Sequence, residues 1–141
     1  MGQGKVKILW IDDDINRVKL QPYLDCFEDN GYEVIGVANP DDVENAIESH
    51  RNIQCIILDV SMPTGENIDV NESKRGMRTG LLVLKKLNAD VSLNSVKKIV
   101  FTIVSDVEVR DYCKINKIAC FRKQDYLADN FFKEVKGIIE K

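Results

Sequence analysis

The sequence predicts an α/β fold: a doubly wound, five-stranded parallel sheet with helices on both faces. Three observations carry that expectation. Short apolar runs of strand length alternate five times with amphipathic stretches of helix length. Right-handed crossovers between such units lay successive strands parallel in one sheet. The runs are nearly unbroken in apolar character, as strands covered on both faces are. No internal repeat, low-complexity tract or Pro/Ser linker divides the 141 residues, so 1–141 is read as a single domain.

Each element has its own signal. Residues 5–11 (KVKILWI) are a β-rich run that stops at Asp12, Asp13 and Asp14. Residues 18–29 carry Leu20, Leu24 and Phe27 at helical spacing and stop at Asn30 and Gly31. Pro22 must lie in the first turn of that helix or kink it. Residues 33–38 (EVIGVA) read as the second strand. Asn39, Pro40, Asp41 and Asp42 then supply an N-cap, an N1 proline and acidic first-turn residues for a helix running to about His50. Residues 53–58 (IQCIIL) are the third strand, ending at Asp59. Residues 79–89 form a helix with Leu81, Leu82, Leu84 and Leu87 as its apolar face. Residues 98–103 (KIVFTI) are the fourth strand, and Ser105 with Glu108 makes a capping box for the next helix. Residues 118–122 are the fifth and weakest strand. Residues 130–140 close the chain, with Phe131, Val135, Ile138 and Ile139 inward.

Composition removes several function classes. The apolar and charged shares, 44% and 30%, are those of an ordinary globular protein and argue against extensive disorder. A net charge of -3 gives no support for nucleic-acid or anionic-membrane binding. No apolar run approaches the ~18 residues of a membrane span. The four cysteines, Cys26, Cys55, Cys113 and Cys120, form no CxxC pair and fall in apolar stretches. They read as reduced, buried thiols of a cytoplasmic protein. His50 is the one histidine, which argues against Cys/His zinc sites and Ser-His-Asp hydrolysis.

In an open parallel sheet, ligands bind beyond the carboxyl ends of the strands, where strand order reverses. The informative residues therefore end strands: Asp12, Asp13 and Asp14 after the first, Asp59 after the third, Thr102 in the fourth and Lys123 after the fifth. Carboxylates sharing one pocket raise each other's pKa unless a cation neutralises them. Oxygen ligands without His or Cys select a hard ion, and few carboxylates favour Mg²⁺ over Ca²⁺. A magnesium ion, a hydroxyl and a lysine around one carboxylate form a phosphoryl-transfer set with the carboxylate as nucleophile. Singly, each residue has an ordinary explanation: a strand-end Asp as a turn former, Thr102 as a β-former, Lys123 as a solvated surface group. Their joint order along the strands carries the functional reading.

With those residues in place, the sequence resembles the receiver domain of two-component response regulators, over nearly the whole chain. ILWIDDD is similar to that family's first strand with its acid pair, CIILDVSMP to its phospho-acceptor strand, IVFT to its fourth strand and CFRK to its fifth. The resemblance implies a flavodoxin-like strand order 2-1-3-4-5. It also implies that Asp59 accepts a phosphoryl group from a partner histidine kinase or phosphotransfer protein. Mg²⁺ would be bound by Asp13, Asp59 and the main-chain carbonyl of Ser61, with Asp12 helping through water. Thr102 would hydrogen-bond the phosphoryl group and drive a switch, and Lys123 would pair with it. Asp14 has no role in the motif and reads as a helix-capping residue. The protein would then be no enzyme beyond its own phosphorylation and dephosphorylation. It would pass its signal to a downstream protein partner, with a homodimer as a family-level expectation. No output domain is expected in 1–141, whether the receiver stands alone or belongs to a longer protein.

Four positions depart from the family pattern. Ile103 follows Thr102 where a small residue is usual, and a branched side chain there modulates access of the phosphodonor. Cys120 stands three before Lys123, where many receivers carry the Tyr or Phe that swings with the threonine. That coupling is either absent or carried by Phe121. Gln124 follows Lys123 where proline is usual. Residues 64–78 (TGENIDVNESKRGMR) replace a short loop; three acidic and three basic residues cancel, and the segment reads as a mobile surface loop, with a lid or partner element beside Asp59 as the alternative. Trp10 is expected in the core, His50 at a helix end, and Arg110, Lys114 and Lys117 on a solvated face. Two other functions compete. One is a degenerate receiver that binds a partner without phosphorylation. The other is a phosphatase of the haloacid-dehalogenase type using Asp12 and Asp14, which leaves Asp59 without purpose and has Ile15 where that family expects glycine.

Overall fold

The structure, a computed structural model, describes residues 6–50, 52–60, 79–103 and 107–141. Ser61, Ser105 and the segment 64–78 lie outside the described residues, and so do the readings attached to them. The strands are β1 (Val6–Ile11), β2 (Tyr32–Val37), β3 (Ile53–Leu58), β4 (Lys97–Thr102) and β5 (Ala119–Arg122). The helices are α1 (Gln21–Asp29), α2 (Val43–Ser49), α3 (Thr79–Ala89), α4 (Val107–Ile115) and α5 (Ala128–Ile139). All five strands pair in parallel in the order β2-β1-β3-β4-β5, as expected.

Period-two alternation along the central strands divides the core into two clusters, one on each face of the sheet. Leu9, Ile11, Ile56, Leu58 and Val100 meet Val43 of α2, Leu81 and Leu84 of α3, and Val109 and Cys113 of α4. Ile8, Trp10, Ile57 and Phe101 meet Phe27 of α1 and Phe131 and Val135 of α5. Trp10 is fully buried there, its ring 5.5 Å from Phe27 and 5.9 Å from Phe131, so its core role holds.

Several boundaries move, each for a local reason. The helix expected over 18–29 opens as a 3-10 turn (Val18–Leu20) and becomes α-helical at Gln21, which puts Pro22 in the first turn, where its missing N–H costs nothing. Asn39 caps as expected, accepting from the Asp41 N–H at 2.8 Å, but the turn it caps (Pro40–Asp42) is 3-10 and α2 follows it. β4 ends at Thr102, not at Ile103. Thr102 pairs with Arg122, the last residue of β5, so Ile103 has no strand beside it on that side and is exposed.

The expectation of four buried cysteines is corrected. Cys55 and Cys113 are buried and Cys26 is half-buried, but Cys120 is exposed. β5 is the edge strand, and its alternation turns Ala119 and Phe121 toward the aromatic cluster while Cys120 and Arg122 lie on the other face and are exposed. Phe121 therefore does not take the place of the missing aromatic at 120. It sits on the opposite face, edge-on to Tyr126 at 5.1 Å and to Phe131 at 5.7 Å.

Candidate functional site

Each functional side chain is delivered by the end of a strand. Asp12 follows β1, and its N–H continues the ladder to the Val37 carbonyl at 2.9 Å. Asp59 follows β3, its N–H held by the Ile11 carbonyl at 2.9 Å. Those two bonds fix both carboxylates at the centre of the sheet. Thr102 is the last residue of β4, and Lys123 opens the 3-10 turn (Lys123–Asp125) after β5. No peptide bond among the described residues is cis, so the Lys123–Gln124 bond is trans and still delivers the lysine.

The four side chains meet. Thr102 Oγ1 donates to Asp59 Oδ1 at 2.7 Å. Lys123 Nζ donates to Asp12 Oδ2 at 2.7 Å and to Asp59 Oδ2 at 3.1 Å. Asp12, Asp59 and Thr102 are 0%, 3% and 1% exposed, and they are the buried polar residues among those described. Burying two carboxylates and a hydroxyl is costly unless each is paired, and here the pairing is mutual.

The electrostatics show an unfinished neutralisation. Burial, reinforced by the Asp59 charge, pushes Asp12 from 3.8 up to about 6, even though Lys123 pulls the other way through its charge and hydrogen bond. Asp13 is raised as well, by burial and then by the charges of Asp14 and Asp59. Burial pulls the Lys123 ammonium down, but the Asp59 and Asp12 charges outweigh it and its pKa rises. One ammonium thus serves two buried carboxylates, with Asp13 beside them still raised.

The donor set suits a hard dication. Carboxylate oxygens of Asp12, Asp13 and Asp14 lie within 4.8 Å of one another, with no nitrogen or sulfur donor in that group. Asp14 is already committed to Arg17 at 3.1 Å and Lys19 at 2.8 Å, and the Lys19 hydrogen bond lowers its pKa. Its expected capping role is corrected too: the 3-10 turn that follows has no side-chain cap, and it is Asp12 Oδ1 that accepts, at 2.8 Å, from the Asp14 N–H. Asp12, Asp13 and Asp59 remain as the carboxylates whose charge a cation would offset.

Beside these groups opens a cavity of about 310 Å³, whose lining includes the polar Asp13, Asp59 and Lys123 together with Leu20, Tyr23 and Ile103. Ile103 is at the pocket, as expected. Leu20 and Tyr23 were not anticipated as walls: helical spacing marks Leu20 only as apolar, and Tyr23 carried no signal. The Tyr23 hydroxyl donates to the Tyr126 carbonyl at 2.6 Å, which ties α1 to the segment after β5 and fixes that wall.

No family model matches this chain, and no curated protein matches it. Solved structures do match it. A CheY-like receiver domain protein from Methanospirillum hungatei JF-1 is 20% identical, with a TM-score of 0.75 over 97% of this chain and 95% of that one. Chemotaxis protein CheY4 of Vibrio cholerae, crystallised at low pH, is 20% identical, with a TM-score of 0.71 over 94% and 98%. The BeF3-activated DrrB receiver domain is 17% identical, with a TM-score of 0.70 over 97% and 99%. The chain has the receiver fold. In that fold the cluster of Asp12, Asp59, Thr102 and Lys123 sits at the switch point, between β1 and β3, where strand order reverses. No helix among the described residues is long and apolar enough to cross a membrane. Arg110, Lys114 and Lys117 are exposed, as expected of a solvated face, and His50 caps the end of α2.

Proposed function

We propose that this chain is a phospho-accepting receiver that takes a phosphoryl group onto Asp59 from a partner histidine kinase or phosphotransfer protein. The observation that carries the reading is the buried Asp59 carboxylate held between Thr102 Oγ1 and Lys123 Nζ beside the Asp12 and Asp13 carboxylates. In the transfer, an Asp59 oxygen attacks phosphorus, the phosphorus–nitrogen bond of the donor imidazole breaks, and the imidazole leaves with its electron pair. Lys123 moves from a carboxylate oxygen to the incoming phosphoryl oxygens, and Thr102 redirects its hydroxyl from Asp59 to one of them. Asp13, Asp59 and the Ser61 carbonyl would hold Mg²⁺, with Asp12 behind them through water; when bound, the ion neutralises charge on the transferring group. The protein would catalyse only its own phosphorylation and dephosphorylation, and a partner would read the switched surface.

The test is intact-protein mass after incubation with Mg²⁺ and a small acyl phosphate, on wild type and Asp59→Asn. One phosphoryl adduct on wild type and none on the variant is expected. An adduct that survives in Asp59→Asn would move the nucleophile to Asp12 and favour the phosphatase. No adduct on either protein would favour the degenerate receiver, provided that Mg²⁺ with beryllium fluoride, the activating species for DrrB, also leaves Trp10 fluorescence unchanged.

Ile103→Ala is expected to raise the rate of adduct formation with the acyl phosphate several-fold, because it lowers the apolar rim at the cavity mouth. The side chain is 59% exposed, so the change should leave stability within about 0.5 kcal/mol. An unchanged rate would remove Ile103 from the access path.

A further inference from the structure

The face of the sheet covered by α4 carries a pair of thiols that the phosphoryl-transfer reading does not use. Cys113 lies on the inner side of α4 and is 2% exposed, while Cys120 lies on the neighbouring edge strand β5 and is exposed. α4 packs directly on β5, and the Ile118 N–H donates to the Cys113 carbonyl at 2.8 Å, pinning the turn between them. Period-two alternation along β5 turns Ala119 and Phe121 to the aromatic face and so puts Cys120 on the α4 face with Cys113, the Arg110 guanidinium of α4 being close enough to act on the Cys120 charge. We propose that Cys120 and Cys113 form a peroxide-reactive dithiol, with Cys120 the attacking thiol and Cys113 the resolving one.

The asymmetry of the pair assigns the roles. Cys120 is open to solvent and Cys113 is not, so only Cys120 can meet an oxidant first. The neighbouring Cys113 thiol and then Arg110 favour its thiolate, bringing Cys120 from 9.0 down to about 7, while the Cys120 thiolate and burial hold the Cys113 thiol protonated. A thiolate with a pKa near ambient pH is the reactive form toward peroxides and disulfides. Cys55, by contrast, is buried and pushed up to about 12, an inert thiol.

The chemistry balances with a hydroperoxide as the oxidant. The Cys120 thiolate attacks one peroxide oxygen, the oxygen–oxygen bond breaks, and hydroxide leaves and is protonated to water. Cys120 is now a sulfenic acid. The Cys113 sulfur attacks the Cys120 sulfur, the sulfur–oxygen bond breaks, and the departing hydroxide takes the Cys113 proton as a second water. Two electrons have passed from the thiol pair to the peroxide, and a disulfide joins α4 to β5. The link lies three residues before Lys123, so it clamps the strand that delivers the lysine. It is independent of whether Asp59 accepts phosphate.

The test is peptide mapping under non-reducing conditions after treating the full chain with hydrogen peroxide. Wild type is expected to lose two hydrogens in mass, with Cys113 and Cys120 in one linked peptide that a dithiol reductant separates. Cys113→Ala is expected to stop at the sulfenic acid, which dimedone traps on Cys120. Cys120→Ser, a change at an exposed position, is expected to leave Cys113 unmodified. Oxidation reporting first at Cys26, dimers linked through Cys120 in place of the internal bond, or a Cys113 that reacts in Cys120→Ser would each overturn the proposal.

Discussion

Lys123→Met is expected to destabilise the metal-free protein by about 3–5 kcal/mol at pH 8 and by less than half of that at pH 5. The lysine is the shared partner of two carboxylates that are 0% and 3% exposed, so its removal leaves buried negative charge uncompensated. Methionine keeps the length of the aliphatic stem, which restricts the loss to charge and hydrogen bonding. The pH dependence follows from the shifts. The Lys123 pKa is raised in the folded protein, so its contribution is present below the unfolded value of 10.5 and is intact at pH 8. Asp12 is also raised, from 3.8 to about 6, so folding is favoured by its proton at low pH and that advantage is lost as pH rises through about 6. Removing Lys123 takes away two of the three influences that lower Asp12, its charge and its hydrogen bond, and leaves only the Asp14 N–H, so the Asp12 pKa moves higher still. Between about 6 and that new value the variant must hold a proton that wild type has released, at a cost near 1.4 kcal/mol per pH unit. At pH 5 Asp12 carries its proton in both proteins and the penalty shrinks. Urea denaturation of both proteins at the two pH values, in chelator, measures the difference. A gap of equal size at pH 5 and pH 8 would show that Asp12 does not take up the charge imbalance.

The same arithmetic explains why the donor set suits a dication. Asp12 stays raised with an ammonium 2.7 Å away, because burial and the neighbouring Asp59 together exceed what one lysine supplies. A pocket built for stability alone would be better served by apolar groups of similar volume. The retained imbalance is a stored preference for positive charge, and it is placed where a phosphoryl group would bring more negative charge. Function and marginal local stability thus come from one feature.

How much of this was legible in the sequence differs residue by residue. Asp12, Asp59, Thr102 and Lys123 were legible because each ends an apolar run, and in a parallel sheet the ends of such runs converge. Sheet order and the alternation of the central strands followed from the same pattern. Ile103 was misplaced into β4 because its side chain continues the apolar run; what ends the strand is the length of β5, whose last pair is Thr102 with Arg122. Cys120 looked buried for a similar reason. An apolar run says nothing about which strand is at the edge, and on the edge strand β5 period-two alternation leaves Cys120 and Arg122 exposed. Tyr23 as a pocket wall depends on its hydroxyl reaching Tyr126, 103 residues away, and no local signal encodes such a contact. Asp14 was read as a cap because strand-end aspartates usually are; Arg17 and Lys19, close behind it in the sequence, were the cue to an ion-pair role.

Gly80→Ala is expected to cost at least about 3 kcal/mol, at the upper end of overpacking changes, and to slow phosphoryl acceptance with it. Gly80 is the second residue of α3, and its N–H donates to the Val60 carbonyl at 2.9 Å, holding the helix start against the residue after Asp59. A Cβ at Gly80 would run into the Val60 Cα and the Asp59 carbonyl oxygen, and would lie 2.8 Å from the Val60 carbonyl carbon. All three are backbone atoms, so no rotamer change relieves the contact. Alanine brings a helix-propensity gain of about 1 kcal/mol over glycine, which has the opposite sign. The clash wins because relief requires moving α3 outward or moving the Asp59–Val60 backbone, and Val60 is fully buried. The first loosens the packing beside Asp59, and the second displaces Asp59 from Thr102 and Lys123, whose 2.7 and 3.1 Å contacts leave little slack. Chemical denaturation reads the stability, and intact mass over time with the acyl phosphate reads the acceptance rate. An alanine variant as stable as wild type would mean that α3 has room to shift at no cost, and that Gly80 does not set the position of Asp59.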